Sequence, residues 1–252
     1  MGMPVIDEIY PASRSGLDRE ALATLYGRPG ADRGDGPWIR VNFVGTADGS
    51  ATGEDDRSGS ISSSVDMAVF GVLRRLADAV LVGAGTVRRE GYEGPLVREA
   101  QRAWRVEHGL AEHPGFAIVS GRLDLDPAAP LFAESPVRPL VLTYADSPAD
   151  RRAALAEVAD VVLIGDDELD PRALRDAFAE RGWTDVLCEG GPSFFGSLAH
   201  GGAVDELCLT VVPKLVAGDG PRIAHGPEAD LGLRLAHVLR GESDELVLRY
   251  TR

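Results

Sequence analysis

Short continuous apolar runs recur along this chain and alternate with stretches of helical spacing. Ile39–Val44, Ala79–Val82, Phe116–Val119, Leu140–Thr143, Val161–Ile164, Val186–Cys188 and Leu207–Val212 read as strands buried on both faces. Between them, Val65, Val69, Val72, Leu73 and Leu76 follow helical spacing behind the cap-forming Ser62–Ser64. Arg98–Glu112 reads as a charged surface helix, and Ala149–Val158 and Pro171–Arg181 as two more. Leu235–Val238 and Glu245–Tyr250 close the chain as a strand pair around Gly241. The pattern predicts an α/β fold, a central mostly parallel sheet flanked by helices with a C-terminal antiparallel pair. Residues 1–37 differ and read as an irregular or partly helical N-terminal arm, with a short helix over Leu17–Tyr26 and a loop over Gly30–Gly36. No linker, repeat or low-complexity segment divides the rest, so 38–252 is expected to be one domain.

Composition narrows the function classes. The formal charge of −14 argues against nucleic-acid binding, which needs a basic footprint. Nothing in it excludes anionic small molecules. No apolar run approaches the roughly 18 residues of a membrane span. The N-terminus has neither a signal-peptide pattern nor a myristoylation site, because Ile6 stands where Ser or Thr is needed. A cytoplasmic protein is expected. Cys188 and Cys208 lie in apolar strands and read as core residues. The five histidines show no zinc spacing, so no metal is expected. Lys214 is the single lysine, and ammonium chemistry would be confined to it.

Three segments could carry chemistry. A strand-to-helix turn, Val82-Gly83-Ala84-Gly85-Thr86-Val87-Arg88, lets backbone N–H groups approach a phosphate, although Arg88 occupies the third glycine position of the dinucleotide fingerprint. A second turn, Glu189-Gly190-Gly191-Pro192-Ser193, frees the backbone and places Pro192 at a first helical position, without the Lys of a nucleotide P-loop. Glu189 falls at the carboxyl end of its strand, where open α/β sheets bind ligands. The third segment, Asn42 to Ser50, ends a strand in a polar turn, and hydroxyl-rich Ser58–Ser64 follows it before a helix carrying Arg74 and Arg75.

The ordered set Thr46-Ala47-Asp48-Gly49, Leu81-Val82-Gly83-Ala84-Gly85-Thr86, Glu189-Gly190-Gly191-Pro192, Val204-Asp205-Glu206-Leu207 and Val212-Pro213-Lys214-Leu215 resembles the reductase domain of bacterial riboflavin-biosynthesis deaminase/reductases. The likeness runs from about Trp38 to the C-terminus. It implies a dihydrofolate-reductase-like fold, a homodimer, and NADPH-dependent reduction of 5-amino-6-(5-phosphoribosylamino)uracil at the ribosyl C1. Carried over by motif, the cofactor contacts would be Gly45, Ser60, Gly83, Gly85, Thr86, Glu90, Ser120 and Arg122, with the turn of Gly190, Gly191, Pro192, Ser193, Phe194, Phe195, Gly196 and Ser197 holding the pyrophosphate. Ser58, Arg74, Arg98 and Glu189 would face the substrate, with Arg74 on its phosphate. Asp48 and Glu189 are the catalytic candidates, Asp48 for ordering the turn beside the nicotinamide or relaying a proton.

Two departures qualify the resemblance. No deaminase zinc signature is present, so deamination is not expected. Asn42 stands where bifunctional members commonly carry a lysine, which leaves the proton source and the exact acceptor open. Competing readings are a dihydrofolate-reductase-like enzyme acting on a folate, pterin or other conjugated imine, with a deazaflavin as alternative hydride donor, and a non-catalytic regulator that keeps the nucleotide cleft.

Overall fold

In the computed structural model, which describes residues 2–27 and 36–252, ten strands form a single sheet. Along the chain run β1 (Ile6–Tyr10), α1 (Arg19–Leu25), β2 (Trp38–Thr46), α2 (Ser64–Leu76), β3 (Ala79–Gly83), α3 (Ala84–Glu90), α4 (Glu99–Glu107), β4 (Gly115–Val119) and α5 (Pro130–Ala133). They are followed by β5 (Leu140–Thr143), α6 (Ala149–Ala156), β6 (Asp160–Leu163), α7 (Pro171–Ala179), β7 (Asp185–Cys188), α8 (Pro192–His200), β8 (Glu206–Val212), β9 (Arg234–Gly241) and β10 (Leu246–Thr251). The sheet order is β1-β9-β10-β8-β2-β7-β3-β4-β5-β6. Neighbours from β8 to β6 are parallel, and β10, β9 and β1 add antiparallel pairings. The expected mostly parallel sheet and C-terminal antiparallel pair are both present.

The central strands are apolar because both faces are covered. Every residue of β3, β4, β5 and β7 is buried. One face packs on α7 and α8 through Leu174, Phe178, Phe195 and Leu198. The other packs on α1 and α2 through Leu22, Val69 and Leu73, and further out on α3, α5 and α6. Ser63 starts α2 by accepting from the Asp66 N–H, as the Ser62–Ser64 cap region anticipates. No helix among the described residues is long and apolar enough to cross a membrane.

In the N-terminal segment α1 falls within the expected Leu17–Tyr26 helix, while β1 is a strand that was not expected. The described part of the segment pairs β1 with β9 and packs α1 onto α2, so it is integral to the sheet. Most of the expected Gly30–Gly36 loop lies outside the described residues. A buried charge cluster helps bind this segment. Glu206 takes Arg40 at 2.6 Å and Arg249 at 2.8 and 2.9 Å, while those arginines donate to the Tyr26 and Leu25 carbonyls at the end of α1. Burial alone would raise the Glu206 pKa, but Arg40 and Arg249 bring it down to about 2. His237, edge-on to Tyr26 at 4.7 Å, is pushed down to about 3, chiefly by burial and then by Arg249.

Glu206→Gln leaves two buried guanidiniums without their anion and is expected to cost about 3–5 kcal/mol in urea denaturation. Both native pKa values are depressed, so their stability is lost as pH falls: for His237 from 6.5 toward 3, and for Glu206 from 4.5 toward 2. The melting temperature should therefore begin to fall below pH 6.5, and His237→Gln should flatten that upper part of the decline.

Candidate active site

The chain leaves β2, passes over the place of β7 to form β3, winds outward to β6, then returns to fill β7 between β2 and β3. The carboxyl ends of β2, β3 and β7 therefore surround a topological switch point, the usual ligand position in an open α/β sheet. A cleft of about 330 Å³ opens there. Asn42–Val44 of β2 form its floor, and Asp66, Phe70 and Arg74, spaced by four along α2, form one wall. Thr86 and Glu90 of α3, the Tyr92–Leu96 segment and the Glu189–Pro192 turn complete it.

Glu189 is the most heavily engaged group in the cleft. Its carboxylate accepts from Arg74 Nε at 2.6 Å, Arg74 Nη2 at 2.7 Å and the Tyr92 hydroxyl at 2.7 Å, with only 3% of its side chain exposed. Arg74 also donates to the Leu96 carbonyl at 3.1 Å and lies over the Phe70 ring at 4.4 Å. Burial would lower the Arg74 pKa, but the Glu189 charge outweighs it and the guanidinium is held more firmly protonated than usual. Burial, followed by the Glu189 charge, raises the Tyr92 phenol well above its ordinary value. Arg74, for which the resemblance implies a phosphate contact, is engaged here by Glu189 and the Leu96 carbonyl. Tyr92, which stacks on Phe116 at 5.5 Å, was not visible as a site residue in the sequence, because its partner is 97 positions away.

The two glycine turns meet at the edge of this cleft. Gly83 N–H donates to the Gly190 carbonyl at 2.7 Å, and α3 and α8 start on Gly83 and Gly191 with no side-chain cap at either. The Gly190–Gly191 peptide is cis. Gly190 has φ +91°, and a Cβ there would come within 2.8 Å of the Phe43 ring. A Cβ at Gly191 would meet Thr86 Oγ1 at 2.6 Å, so the two helix starts approach this closely only because side chains are missing. Uncapped N–H groups at such starts suit an anion. Pro192 borders the cleft and Ser193 is exposed beside it, whereas Phe194, Phe195 and Gly196 are buried under α8 and Ser197 hydroxyl donates to the Ser193 carbonyl. Gly85 lies exposed on α3.

Other sequence candidates are placed differently. Ser58 lines the cleft and donates to Glu90 through N–H at 3.3 Å and hydroxyl at 3.2 Å. Asp48 lies outside the cleft lining. It accepts from the Ala217 and Val216 N–H groups at 2.7 and 3.1 Å and from the Thr46 hydroxyl, which together lower its pKa, the Thr46 bond most. It orders the turn and pins the following loop, and a proton relay finds no support in that position. Gly45 is buried in β2 behind Ile223. Ser60 is exposed and bonded to the Arg57 carbonyl, and Arg98 sits at the exposed start of α4, both away from the cleft lining. Ser120 ends β4 with its carbonyl bonded to Thr143, and Arg122 is exposed two residues beyond. Cys188 is pushed up to about 12 by burial, in keeping with its reading as core.

Fold and site together define an open α/β protein of the switch-point ligand-binding class. The sequence matches the RibD C-terminal domain over residues 37–247, and the chain belongs to that family. It is 25% identical over 218 residues to 2,5-diamino-6-ribosylamino-4(3H)-pyrimidinone 5′-phosphate reductase of Archaeoglobus fulgidus, covering 86% of this chain and 99% of that one. The reductase of the same name from Methanothermobacter thermautotrophicus is 27% identical, with 85% and 98% covered. Among solved structures, a pyrimidine reductase-like protein of Corynebacterium diphtheriae superposes with a TM-score of 0.75 at 26% identity, covering 85% of this chain and 91% of that one.

Gly190→Ala forces a side chain into a positive-φ position and against Phe43. A loss of about 2–4 kcal/mol in denaturant-induced unfolding is expected, against less than about 1 kcal/mol for Gly85→Ala, which meets open space.

Proposed function

We propose that this protein reduces a 6-ribosylaminopyrimidine 5′-phosphate of riboflavin synthesis, with NADPH as donor. The observation that carries the reading is the junction of the Glu189–Arg74 cleft with the paired, uncapped starts of α3 and α8 in a chain of this family. A pyrophosphate would lie over the start of α8, held by the Ser193 and Phe194 N–H groups there. The bound dinucleotide supplies a hydride. The chain's own contribution is to orient and to exclude water.

Phe43, Val44 and Phe70 give the cleft apolar surface against which a flat heterocycle can pack. Glu189, fixed by three donors, presents a rigid negative edge to substrate hydroxyls or ring N–H groups. With Arg74 committed to Glu189, Arg89 at the rim of the cleft is the guanidinium placed to meet the 5′-phosphate. The two family acceptors differ at ring C2, oxo in 5-amino-6-(5-phosphoribosylamino)uracil and amino in the 2,5-diamino compound. The near-complete coverage of the two archaeal reductases favours the amino compound.

Purified protein should consume NADPH with one or both pyrimidine phosphates and with neither a folate nor a pterin; failure with both pyrimidines would sink the reading. Arg89→Ala should raise KM for the phosphorylated acceptor by about 1–3 kcal/mol with little change in kcat. Glu189→Gln should instead lower kcat and leave NADPH affinity within a few-fold.

A further inference from the structure

We propose that Asp66 is the proton donor of the cleft, giving its carboxyl proton to the nitrogen of the acceptor while hydride arrives at the neighbouring ribosyl carbon. The inference rests on the reductase reading above and adds the group that Asn42 cannot be, since a side-chain amide N–H is far too weak an acid to release its proton.

Apart from Glu93, which is exposed at the Tyr92–Leu96 segment, the cleft's other polar groups are committed or unsuited. Glu189 accepts three hydrogen bonds, and Tyr92 spends its hydroxyl proton on one of them. Glu90 accepts both donors of Ser58. Ser and Thr hydroxyls and the guanidiniums of Arg74 and Arg89 are poor acids at neutral pH. Asp66 lines the cleft at the first turn of α2, yet the residue is only 6% exposed. Its Oδ2 accepts the Ser62 hydroxyl at 2.6 Å.

The groups acting on Asp66 come from three directions: Ser62 beside it in sequence, Thr210 from β8, and the Glu245 carboxylate from the β9–β10 turn. Burial raises its pKa, and the Glu245 charge adds to that, against the Ser62 and Thr210 hydroxyls. Asp66 lies two helical turns, about 12 Å along the axis, from Arg74. The cleft therefore has an ion-paired carboxylate at its Glu189 end and a buried carboxyl without a cation at its Asp66 end, with Phe70 midway between them.

The chemistry balances without a further reactant. The acceptor is the ring-opened C=N form of the ribosylamine. A hydride adds to carbon, the π pair moves to nitrogen, the Asp66 O–H bond breaks to give nitrogen its proton, and the carboxylate regains one from water.

The test compares wild type with Asp66→Asn and Ser62→Ala, reading kcat across pH and melting temperature across pH. Wild-type kcat should fall as pH rises through the raised Asp66 pKa. Asp66→Asn should lower kcat about 100-fold or more and abolish that limb, with NADPH affinity retained. Ser62→Ala removes a bond that favours the anion, so its limb should move to higher pH.

Melting temperature provides a readout independent of turnover and shows that the variants fold. A raised native pKa makes the folded state favour the acid, so the Asp66 contribution to wild-type stability declines as pH rises above about 4, and the asparagine variant lacks that contribution. The advantage of Asp66→Asn should grow with pH. A wild type that reduces neither pyrimidine overturns the reductase reading, and the proton role falls with it. A wild type that turns over beside an Asp66→Asn kcat within twofold, a limb that persists in that variant, or a melting difference constant with pH overturns the proton role alone.

Discussion

Glu189 emerges from β7 at the point where the chain reverses its winding, and its carboxylate can remain there only because Arg74 and Tyr92 meet it. An anion with 3% exposure and no partner would cost several kcal/mol, or would protonate. The three hydrogen bonds also have a mechanical effect. Arg74 belongs to α2 and Tyr92 to the connection between α3 and α4, whose Leu96 carbonyl Arg74 also holds, so one carboxylate ties two separately folded segments to the end of one strand. The cleft's dimensions depend on that junction, because two of its walls have no other strong polar tie to the floor among the described contacts.

A second buried carboxylate sits toward the opposite ends of the same central strands. Glu206, at the start of β8, binds Arg40 of β2 and Arg249 of β10, and through their carbonyl contacts it reaches the end of α1. Both sites solve the burial of a charge with guanidinium forks. They differ in access. Glu206 is sealed and its pKa is driven down to about 2, which makes it a structural post. Glu189 borders open space, so the same chemistry there positions an anion for use.

The α/β alternation was legible because its strands are buried on both faces and carry a continuous apolar signal. The glycine turns were legible because backbone crowding leaves a mark in composition: Gly190 needs its positive φ and Gly191 its missing Cβ. What escaped the sequence were pairings between distant positions. Strand β1 reads as Ile-Asp-Glu-Ile-Tyr, a polar segment by local rules. Glu8 is nevertheless buried, because Arg14 neutralises it and β9 supplies the backbone partners. Arg74 was legible as a site residue but its tie to Glu189 was not, since nothing in α2 announces a carboxylate 115 positions later. Asp66 was not singled out, because an acid in the first turn of a helix is ordinary; β8 and the β9–β10 turn are what set it apart.

A formal charge of −14 does not oppose the proposed binding of two phosphorylated molecules, because the net charge is not what they would encounter. Long-range repulsion is screened within about 8 Å at physiological salt, whereas backbone N–H groups at a helix start act at contact distance. The acids nearest the cleft are largely neutralised or turned aside: Glu189 by Arg74, Glu90 toward Ser58, and Asp66 by burial that favours its uncharged form. Arg89 and the helix starts then act with little local opposition. Acidity elsewhere on the surface is consistent with solubility and discourages polyanions too large for the cleft, so the protein can be selective for small phosphates without being basic.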